Sequence, residues 1–332
     1  MNVILKTPEN NLWHHQHERI RNGIELPVHH GPDLALVPEE IRRETVALVA
    51  YDLSEHDLGL LPKLRFIAVP KAGVDTLPLS DLARRDVAVV NAHANGRWVA
   101  ERALALLLAV TGKIVPGDRD LRTGRWHGFA AGEPPQIAWR SLSEMTIAII
   151  GTGSIGTWVA RFLRPFGSTI IGVRRRSGID GIPSGLFDEV YTDLDAALHA
   201  ADAAIVTLPS TPETTGLIGS DRLKLLSDGV LVNVGRGNVI DEEALFHAVA
   251  AGRISCGLDT WYRYPDPPGS REYPSRFPFE GFDNVVLSPH LGGYLTPATR
   301  ASADDVVARL IDWIRKGMPA GVDGAADLEA GY

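Results

Sequence analysis

The chain has 332 residues, of which 45% are hydrophobic, and a formal net charge of −8 at neutral pH. This acidic balance argues against a general nucleic-acid or membrane surface, because either partner would favour a basic face. A single hydrophobic core stops growing at about 250 to 300 residues. Two domains that act on a small molecule are therefore expected.

The single cysteine, Cys256, rules out an intramolecular disulfide and fits a reducing compartment. It lies in the apolar run "ISCGLD", which favours a buried and inert thiol. The N-terminus lacks the pattern of a signal peptide, and no run reaches the roughly 18 apolar residues of a membrane helix. These features predict a cytoplasmic protein.

Residues 1–95 alternate short apolar runs with polar, helix-like stretches. The apolar runs read "NVILKT", "VALVAYD", "LRFIAVP" and "VAVVNAH". Such alternation is typical of α/β structure, in which each run forms a buried strand. The sequence therefore predicts a smaller, flavodoxin-like α/β domain in this region.

The segment 96–114, "GRWVAERALALLLAVTGKI", is predicted to be a helix that connects the two domains. From residue 146 onward, helical patterns alternate with the apolar runs "TIAII", "TIIGV", "AAIVTLP", "GVLVNV", "ISCGLD" and "NVVLSP". Runs that are almost continuously apolar suit strands covered on both faces. These six strands with intervening helices predict a doubly wound parallel sheet of the Rossmann type.

A last helix is predicted over 297–317, where apolar residues recur at spacings of three and four. These residues are Val306, Val307, Leu310, Ile311 and Ile314. Because the helix follows the sixth strand, we expect it to return to the first domain. The sequence thus predicts a first domain of residues 1–95 and 296–332, with a second domain of residues 96–295 inserted in it.

A glycine motif, Gly151-x-Gly153-x-x-Gly156, follows the first strand of the inserted domain and precedes a helix. The first glycine permits a tight turn, the second lets the backbone approach a pyrophosphate, and the third allows close packing of helix and strand. Ser154 and Ile155, at the start of the helix, offer backbone N–H groups to the phosphates. This context predicts a dinucleotide cofactor.

The second strand of this domain ends where a protein that uses NAD normally has Asp or Glu to bind the adenosine ribose. Here the chain has Arg174, Arg175, Arg176 and Ser177. A group of guanidinium ions beside a hydroxyl suits a 2′-phosphate. NADP is therefore predicted as the preferred cofactor, with NAD as the second possibility.

Two functional side chains follow later strands. Arg236 comes after the fourth predicted strand of the inserted domain, and His290 comes after the sixth. Ligands bind at the carboxyl ends of strands in doubly wound sheets. A guanidinium can hold a carboxylate and an adjacent carbonyl, whereas a histidine can move a proton at neutral pH. Reduction of a 2-keto acid by hydride transfer requires both functions.

Several motifs together resemble one enzyme family. In chain order they read "KAGVDTL", "NGRWVAERALALLL", "TIAIIGTGSIG", "LPSTPETTGLI", "VNVGRGNVIDEEAL", "GLDTW" and "SPHLGG". The chain strongly resembles the D-isomer-specific 2-hydroxyacid dehydrogenases, a family that contains phosphoglycerate dehydrogenase, glyoxylate/hydroxypyruvate reductase and NAD-dependent formate dehydrogenase. The resemblance extends over about residues 66–317 in the family's order.

The resemblance implies a substrate loop at Ala72, Gly73 and Val74, whose backbone N–H groups would hold the substrate carboxylate. Lys71 precedes this loop, where it would add positive charge for the carboxylate or be an ordinary exposed lysine. The resemblance also implies a homodimer that pairs through the nucleotide-binding domain. A small 2-keto or 2-hydroxy acid is therefore the expected partner.

The same resemblance implies that Arg236 binds and polarises the substrate and that His290 donates the proton to the keto oxygen. The positions matched to the remaining cofactor contacts are Thr207, Leu208, Pro209, Val234, Gly235, Arg236, Asp259, His290 and Gly292. Most of them follow a predicted strand, at the edge of the sheet where ligands bind.

The chain departs from the family pattern in the stretch "DTWYRYP" (259–265). The family usually has a Glu where this chain has Tyr264, and that Glu hydrogen-bonds the catalytic histidine. A nearby carboxylate stabilises an imidazolium, whereas a phenol can orient the ring but supplies no charge at neutral pH. Formate dehydrogenases also lack this Glu and have Gln within a Trp-containing motif.

Three interpretations stay open. In the first, the chain reduces a keto acid, with Asp266 or another carboxylate assisting His290 or with a more acidic optimum. In the second, the substrate is atypical, such as formate or an acid of secondary metabolism. In the third, the chain is a dinucleotide-sensing regulator, although a pure sensor needs neither Arg236 nor His290.

Aromatic residues leave the size of the substrate open. Trp98, Trp261, Tyr264 and Tyr294 are candidates for a pocket that accepts more than glyoxylate, or for core and interface positions. The N-terminal histidines lack acids or cysteines at the spacing of a structural metal site. No metal is therefore expected at His14, His15, His17, His29 and His30.

Overall fold

The computed structural model describes residues 1–131, 139–175, 183–226 and 228–328. In chain order, the strands are β1 (Asn2–Lys6), β2 (Val28–His30), β3 (Thr45–Ala50), β4 (Phe66–Val69), β5 (Ala88–Asn91), β6 (Thr146–Ile150), β7 (Thr169–Val173), β8 (Glu189–Tyr191), β9 (Ala203–Val206), β10 (Gly229–Asn233), β11 (Ile254–Leu258) and β12 (Val285–Leu287). The α-helices are α1 (Asn11–Gly23), α2 (Glu39–Arg43), α3 (Glu55–Gly59), α4 (Leu79–Arg84), α5 (Gly96–Thr111), α6 (Ile114–Arg122), α7 (Ser154–Leu163), α8 (Leu194–Ala200), α9 (Ser220–Leu225), α10 (Glu242–Ala250) and α11 (Thr296–Arg315).

The chain divides into two compact units. The first comprises Met1–Asn95, Ser210–Pro212 and Leu295–Tyr332, and the second comprises Gly96–Pro209 and Glu213–Tyr294. The bounds predicted from the sequence included Ser210–Pro212 and Leu295 in the second domain. In the structure, these residues belong to the first unit. Among the described residues, every helix is too short or too polar to span a membrane.

The first unit contains a parallel sheet with strand order β2-β1-β3-β4-β5. This is the flavodoxin-like order. Successive side chains of a strand point to opposite faces, so Ile4 packs in the core on one face and Val3 in the core on the other. Helix α11 covers the second core, where Val306, Val307 and Leu310 are buried as predicted.

The second unit contains a parallel sheet with strand order β12-β11-β10-β9-β6-β7-β8. Ile147 packs in the core on one face and Ala148 in the core on the other, which explains why the strands are almost continuously apolar. The predicted doubly wound sheet of the Rossmann type is confirmed. Cys256 lies in one of these cores, and burial raises the pKa of its thiol to about 12.

The predicted strand counts were wrong in both units. The sequence predicted four strands in the first unit and six in the second, whereas the sheets have five and seven strands in the described part of the chain. The missed strands, β2 and β8, each have three residues, none of them fully buried. Both lie at sheet edges. An edge strand of this length needs no continuous apolar run, so its pattern resembles that of a loop.

Candidate active site

The glycine turn connects β6 to α7 in the second unit. Gly151 has a φ of +104°, a conformation that side chains disfavour. A Cβ on Gly156 would lie 1.9 Å from the carbonyl oxygen of Gly151, so only glycine fits there. A Cβ on Gly153, in contrast, would meet no atom of the described residues within 4 Å, its chain neighbours aside. Space is thus open beside the N-terminus of α7, at Ser154, and the turn fits a dinucleotide pyrophosphate.

Basic residues follow β7, as the sequence predicted. Arg174 comes directly after the strand, and its backbone N–H donates to a carbonyl oxygen of β8 over 3.0 Å. The residue is half-buried, and Arg175 is exposed. The predicted contacts Arg176 and Ser177 lie outside the described residues. Two guanidinium groups thus follow β7, the second strand of this unit in chain order. In Rossmann folds, the adenosine ribose binds at the end of that strand.

The loops at the carboxyl ends of β6, β9 and β10 contact one another. The hydroxyl of Thr207, which follows β9, lies 3.1 Å from the carbonyl oxygen of Ile150 and 3.0 Å from that of Gly151. A Cβ on Gly235, after β10, would lie 2.4 Å from the carbonyl oxygen of Leu208. Hydrogen bonding and close backbone packing therefore connect three loops at one edge of the sheet.

The neighbouring residues are fixed by backbone contacts. The carbonyl oxygen of Pro209 accepts a hydrogen bond from the Thr214 hydroxyl over 2.7 Å. Val234 is buried, and its N–H donates to the carbonyl oxygen of Val206 over 3.1 Å. Both predicted cofactor positions thus have well-defined backbones beside the glycine turn.

Arg236 follows β10 and is half-buried. Its carbonyl oxygen accepts a hydrogen bond from the Asn233 side-chain amide over 2.9 Å, and its guanidinium donates to the carbonyl oxygen of Gly235 over 3.0 Å. The amide of Asn233 therefore fixes the backbone of Arg236 at the end of its strand. A guanidinium held in this way is suited to bind a carboxylate or a carbonyl oxygen.

The loops after β11 and β12 continue the same edge. A Cβ on Gly237 would lie 2.2 Å from the carbonyl oxygen of Trp261, and the Trp261 indole N–H donates to the carbonyl oxygen of Ser288 over 2.8 Å. Trp261 is buried. It therefore packs in the core, whereas Tyr294, another candidate for an aromatic pocket, is 81% exposed.

Asp259 is a buried carboxylate that binds the loop carrying His290. It accepts hydrogen bonds from the Ser288 hydroxyl (2.5 Å), the Leu291 N–H (2.9 Å) and the Gly292 N–H (2.8 Å). A Cβ on Gly292 would lie 2.9 Å from Oδ2 of Asp259. The carboxylate that sequence reasoning assigned to the cofactor thus contacts the loop on both sides of His290.

His290 is exposed and has a φ of +54°. A non-glycine residue in the left-handed region costs about 1 kcal/mol or more and persists where the surrounding structure determines it. Here the loop is held by the hydrogen bonds that Asp259 accepts and by the bond from His290 N–H to Ser288 O (3.0 Å). The histidine is therefore presented by a loop that other side chains hold in place.

Tyr264, which stands where the family usually has Glu, lies beside His290. The two ring centroids are 5.4 Å apart, with an interplanar angle of 50°. The Tyr264 hydroxyl accepts a hydrogen bond from the backbone N–H of Trp261 over 3.1 Å. The phenol thus packs against the imidazole. Asp266, the alternative carboxylate considered from the sequence, is exposed.

The residues expected to form a substrate loop follow β4 in the first unit. Lys71 donates from Nζ to the Thr76 hydroxyl over 2.9 Å, within the same loop. Ala72 and Gly73 are half-buried, and Val74 is buried. The Lys71 ammonium therefore has a contact inside the loop.

Sequence reasoning missed the part that Ser288 plays. The residue belongs to the motif "SPHLGG", but it is buried and its hydroxyl hydrogen-bonds Asp259. A polar side chain directly before Pro-His, at the end of an apolar run, was the available signal. The spacing alone could not reveal which carboxylate it contacts, because Asp259 follows a different strand, β11.

Known proteins match this architecture. Residues 104–292 match the family model described as the NAD binding domain of D-isomer specific 2-hydroxyacid dehydrogenases. A glyoxylate reductase of Thermofilum pendens is 30% identical over 313 residues, which cover 90% of this chain and 88% of that protein. A glyoxylate reductase of Pyrococcus furiosus is 33% identical over 262 residues, which cover 78% of this chain and 75% of that protein.

A solved structure gives the same result. The NADPH-dependent glyoxylate/hydroxypyruvate reductase of Sinorhizobium meliloti, in complex with NADP and malonate, superposes with a TM-score of 0.76. It is 27% identical, and the match covers 99% of this chain and 98% of that one. The chain belongs to the D-isomer-specific 2-hydroxyacid dehydrogenase family, and it is an NAD(P)-dependent oxidoreductase that acts on CH–OH donors.

Proposed function

We propose that this protein reduces a 2-keto acid to a D-2-hydroxy acid by hydride transfer, with NADPH as the preferred cofactor and His290 as the proton donor. The coarser statement, NAD(P)-dependent reduction of 2-keto acids, has the support of the glyoxylate reductase relatives. The finer assignments rest on residues of this chain.

One observation carries the proposal. Arg236 and His290 follow β10 and β12 of the sheet whose first strand leads into the glycine turn. The intervening loops contact one another, from Thr207 on Gly151 to Trp261 on Ser288. The guanidinium of Arg236, the imidazole of His290 and the glycine turn therefore lie at the carboxyl edge of one doubly wound sheet. Ligands bind at this edge in such folds.

Each residue has a distinct task in the reduction. A nicotinamide cofactor bound at the glycine turn would supply the hydride that reduces the carbonyl carbon of the 2-keto acid. The guanidinium of Arg236 binds the substrate and polarises its carbonyl, which stabilises the negative charge that develops on oxygen. The imidazolium of His290 then donates a proton to that oxygen, which completes the alcohol.

The preference for NADPH rests on the residues after β7. Arg174 and Arg175 stand where an acidic residue would bind the ribose of NAD and would repel a 2′-phosphate. A guanidinium forms charge-assisted hydrogen bonds with phosphate oxygens. The relative from Sinorhizobium meliloti was solved with NADP, which is consistent with the same preference here.

The remaining assignments are those expected from the sequence pattern and from the resemblance to the family. Residues 1–95 and 296–332 are assigned to the substrate domain and residues 96–295 to the dinucleotide-binding domain. The backbone N–H groups of Ala72, Gly73 and Val74 are assigned to the substrate carboxylate. A cytoplasmic homodimer is the expected form of the enzyme.

A substrate panel tests the proposed reaction. Glyoxylate, hydroxypyruvate and larger 2-keto acids are assayed with NADPH and with NADH, and formate is assayed with NADP. Turnover of at least one keto acid, with NADPH favoured, is the expected result. Turnover of formate alone would favour the atypical-substrate interpretation, and binding of NADPH without any turnover would favour a sensor.

Two variants test the catalytic residues. Arg236→Ala and His290→Ala are each expected to lower kcat by roughly 100-fold or more, with NADPH affinity largely retained. His247→Ala is the control, because His247 is an exposed histidine of α10 in the same unit. Unchanged turnover in either of the first two variants would overturn the mechanism.

A charge reversal tests the cofactor preference. Arg174→Asp is expected to shift the ratio of kcat/KM values from NADPH towards NADH by roughly 10-fold or more, because a charged hydrogen bond is worth about 1.5 to 3 kcal/mol. Arg253→Asp is the control, since Arg253 is exposed and directly precedes β11, at the amino ends of the strands. An unchanged ratio in Arg174→Asp would refute the assignment of the 2′-phosphate site.

A further inference from the structure

The buried amide of Asn91 contacts the loop to which the substrate carboxylate is assigned. Asn91 is the last residue of β5, and in the parallel sheet it pairs with Val69, the last residue of β4. The loop begins directly after Val69. The sheet register therefore places Asn91 beside the start of the loop. The residue is 2% exposed, and its Nδ2 donates to the carbonyl oxygen of Ala72 over 2.5 Å.

The hydrogen bond from Asn91, together with the geometry of the peptide group, fixes the direction in which the N–H of Gly73 points. In a planar trans peptide, the C=O group of one residue and the N–H group of the next point in opposite directions. The carbonyl of Ala72 is directed towards Asn91, so the N–H of Gly73 is directed away from it. The carbonyl of Lys71 is likewise fixed, because it accepts a hydrogen bond from the Ala92 N–H over 3.2 Å. The N–H of Ala72 therefore also points away from the end of β5.

These two N–H groups remain available for a ligand. Within the part of the chain that the structure describes, neither N–H donates to a backbone carbonyl oxygen. Successive backbone N–H groups that point out of a loop bind anions. The chemistry that suits them is a carboxylate, whose two oxygens can each accept a hydrogen bond.

We propose that Asn91 is the positioning residue of the carboxylate site, which holds the Ala72–Gly73 peptide with its N–H directed towards the substrate. This inference rests on the proposed function, since it concerns the same 2-keto acid. The amide acts as a donor. Neither an apolar side chain nor a carboxylate at this position can hold a carbonyl oxygen in the same direction.

Two variants change the donor with little change in size. Asn91→Leu removes the hydrogen bond, and Asn91→Asp places an oxygen where the carbonyl of Ala72 needs a donor. Both free the peptide to turn, so KM for the keto acid is expected to rise by roughly 10-fold or more. The changes in kcat and in the dissociation constant of NADPH are expected to stay below roughly threefold.

A matched control separates positioning from stability. Asn284 also donates from Nδ2 to backbone carbonyl oxygens, those of Val249 (3.1 Å) and Ile254 (2.8 Å), in the second unit. Asn284→Leu is expected to lower Tm as Asn91→Leu does while leaving KM unchanged. A folded Asn91→Asp protein with the KM of the parent would overturn the proposal.

An NMR measurement on the parent protein tests the proposal without depending on whether the variants fold. Labelling with [13C′]alanine and [15N]glycine selects Ala–Gly peptides, and Gly73→Ala identifies the resonance of the Ala72–Gly73 pair. Oxalate, a competitor for the keto acid, is expected to move that amide proton downfield. If oxalate inhibits turnover but the resonance does not move, the N–H does not bind the carboxylate.

The two proposals fail in different ways. A parent protein that turns over no 2-keto acid contradicts the proposed function. A parent that turns over a keto acid, while Asn91→Asp keeps its KM, contradicts only the role of Asn91.

Discussion

The glycine turn after β6 and the His290 loop after β12 lie at the same edge of one sheet, yet different forces hold them. The turn is fixed by backbone contacts that only glycine permits, such as the approach of Gly156 to the carbonyl of Gly151. The loop is fixed by side chains, because Asp259 and Ser288 hold a histidine in a left-handed conformation.

This difference separates two kinds of functional constraint. A steric constraint on backbone resides in the residue itself, so one substitution at that residue removes it. A network shares the constraint among residues distant in sequence, so removal of any member weakens the same function. Cofactor binding is expected to depend on the first kind and proton transfer on the second.

The largest effect is expected at the turn. The Cβ of Gly156→Ala would overlap the carbonyl of Gly151, which is expected to cost about 3 kcal/mol or more of unfolding free energy. Gly153→Ala is the matched variant, since its Cβ, chain neighbours aside, meets no atom of the described residues within 4 Å. It is expected to keep the Tm of the parent but to bind NADPH roughly 10-fold more weakly, because the methyl group occupies the space assigned to the pyrophosphate.

Denaturant unfolding and fluorescence titration with NADPH measure the two effects. A Gly156→Ala protein as stable as the parent would show that residue 156 and the carbonyl of Gly151 can separate at little cost in unfolding free energy. Full NADPH affinity in Gly153→Ala would place the pyrophosphate elsewhere.

The ease of prediction follows the same division. Gly151, Gly153 and Gly156 could be assigned from the sequence, because each glycine has one steric reason and the flanking strand and helix confirm the context. The partners of Asp259 could not be assigned, because they become neighbours only when β11 and β12 pair. The cofactor contact at Asp259 stays a prediction, and the structure adds the hydrogen bonds that its carboxylate accepts from the His290 loop.

The next effect is expected in the network itself. Asp259→Asn replaces an acceptor by a donor and leaves a buried N–H without an acceptor, which costs about 1 to 3 kcal/mol. Because His290 is then less well placed, kcat is expected to fall by roughly 100-fold. Ser288→Ala removes one hydrogen bond of the same network, and a kcat lowered by roughly 10-fold is expected.

A buried serine elsewhere in the unit serves as the control. The Ser275 hydroxyl donates to the Glu242 carboxylate over 2.8 Å, so Ser275→Ala loses a comparable hydrogen bond at a site without a catalytic role. Its kcat is expected to equal that of the parent. If Ser288→Ala gives the same kcat as Ser275→Ala, the network does not position His290.

A smaller effect is expected beside the imidazole. Tyr264→Glu restores an anion next to His290, which stabilises the imidazolium. Reduction requires the protonated ring and is lost as pH rises, so the reductive optimum is expected to move upward by about one pH unit. Tyr264→Phe, which keeps the ring and removes the hydroxyl bound to Trp261, is the control. Identical pH profiles of kcat/KM in Tyr264→Glu and the parent would show that position 264 does not tune His290.

The fold was easier to predict than the edges of its sheets. Strands such as β6 have apolar residues on both faces, because each face packs in its own core. The missed strand β8, "EVY", is exposed or half-buried throughout. It pairs with β7 through its backbone. Backbone pairing places few demands on the residue types of a short edge strand, so the sequence does not reveal it.

The smallest effect concerns a side chain next to the network. Thr260 is 1% exposed, and its hydroxyl has no hydrogen-bond partner among the described residues. A buried hydroxyl without a partner costs about 1 to 3 kcal/mol, and valine has nearly the same shape. Thr260→Val is therefore expected to raise Tm by roughly 2 to 4 °C.

Thr111→Val provides the opposite case in the same unit. The Thr111 hydroxyl is buried as well but donates to the carbonyl oxygen of Leu107 over 2.9 Å. Its replacement is expected to lower the unfolding free energy by about 1 kcal/mol. A Tm that falls in Thr260→Val as it does in Thr111→Val would show that the Thr260 hydroxyl has a partner in solution.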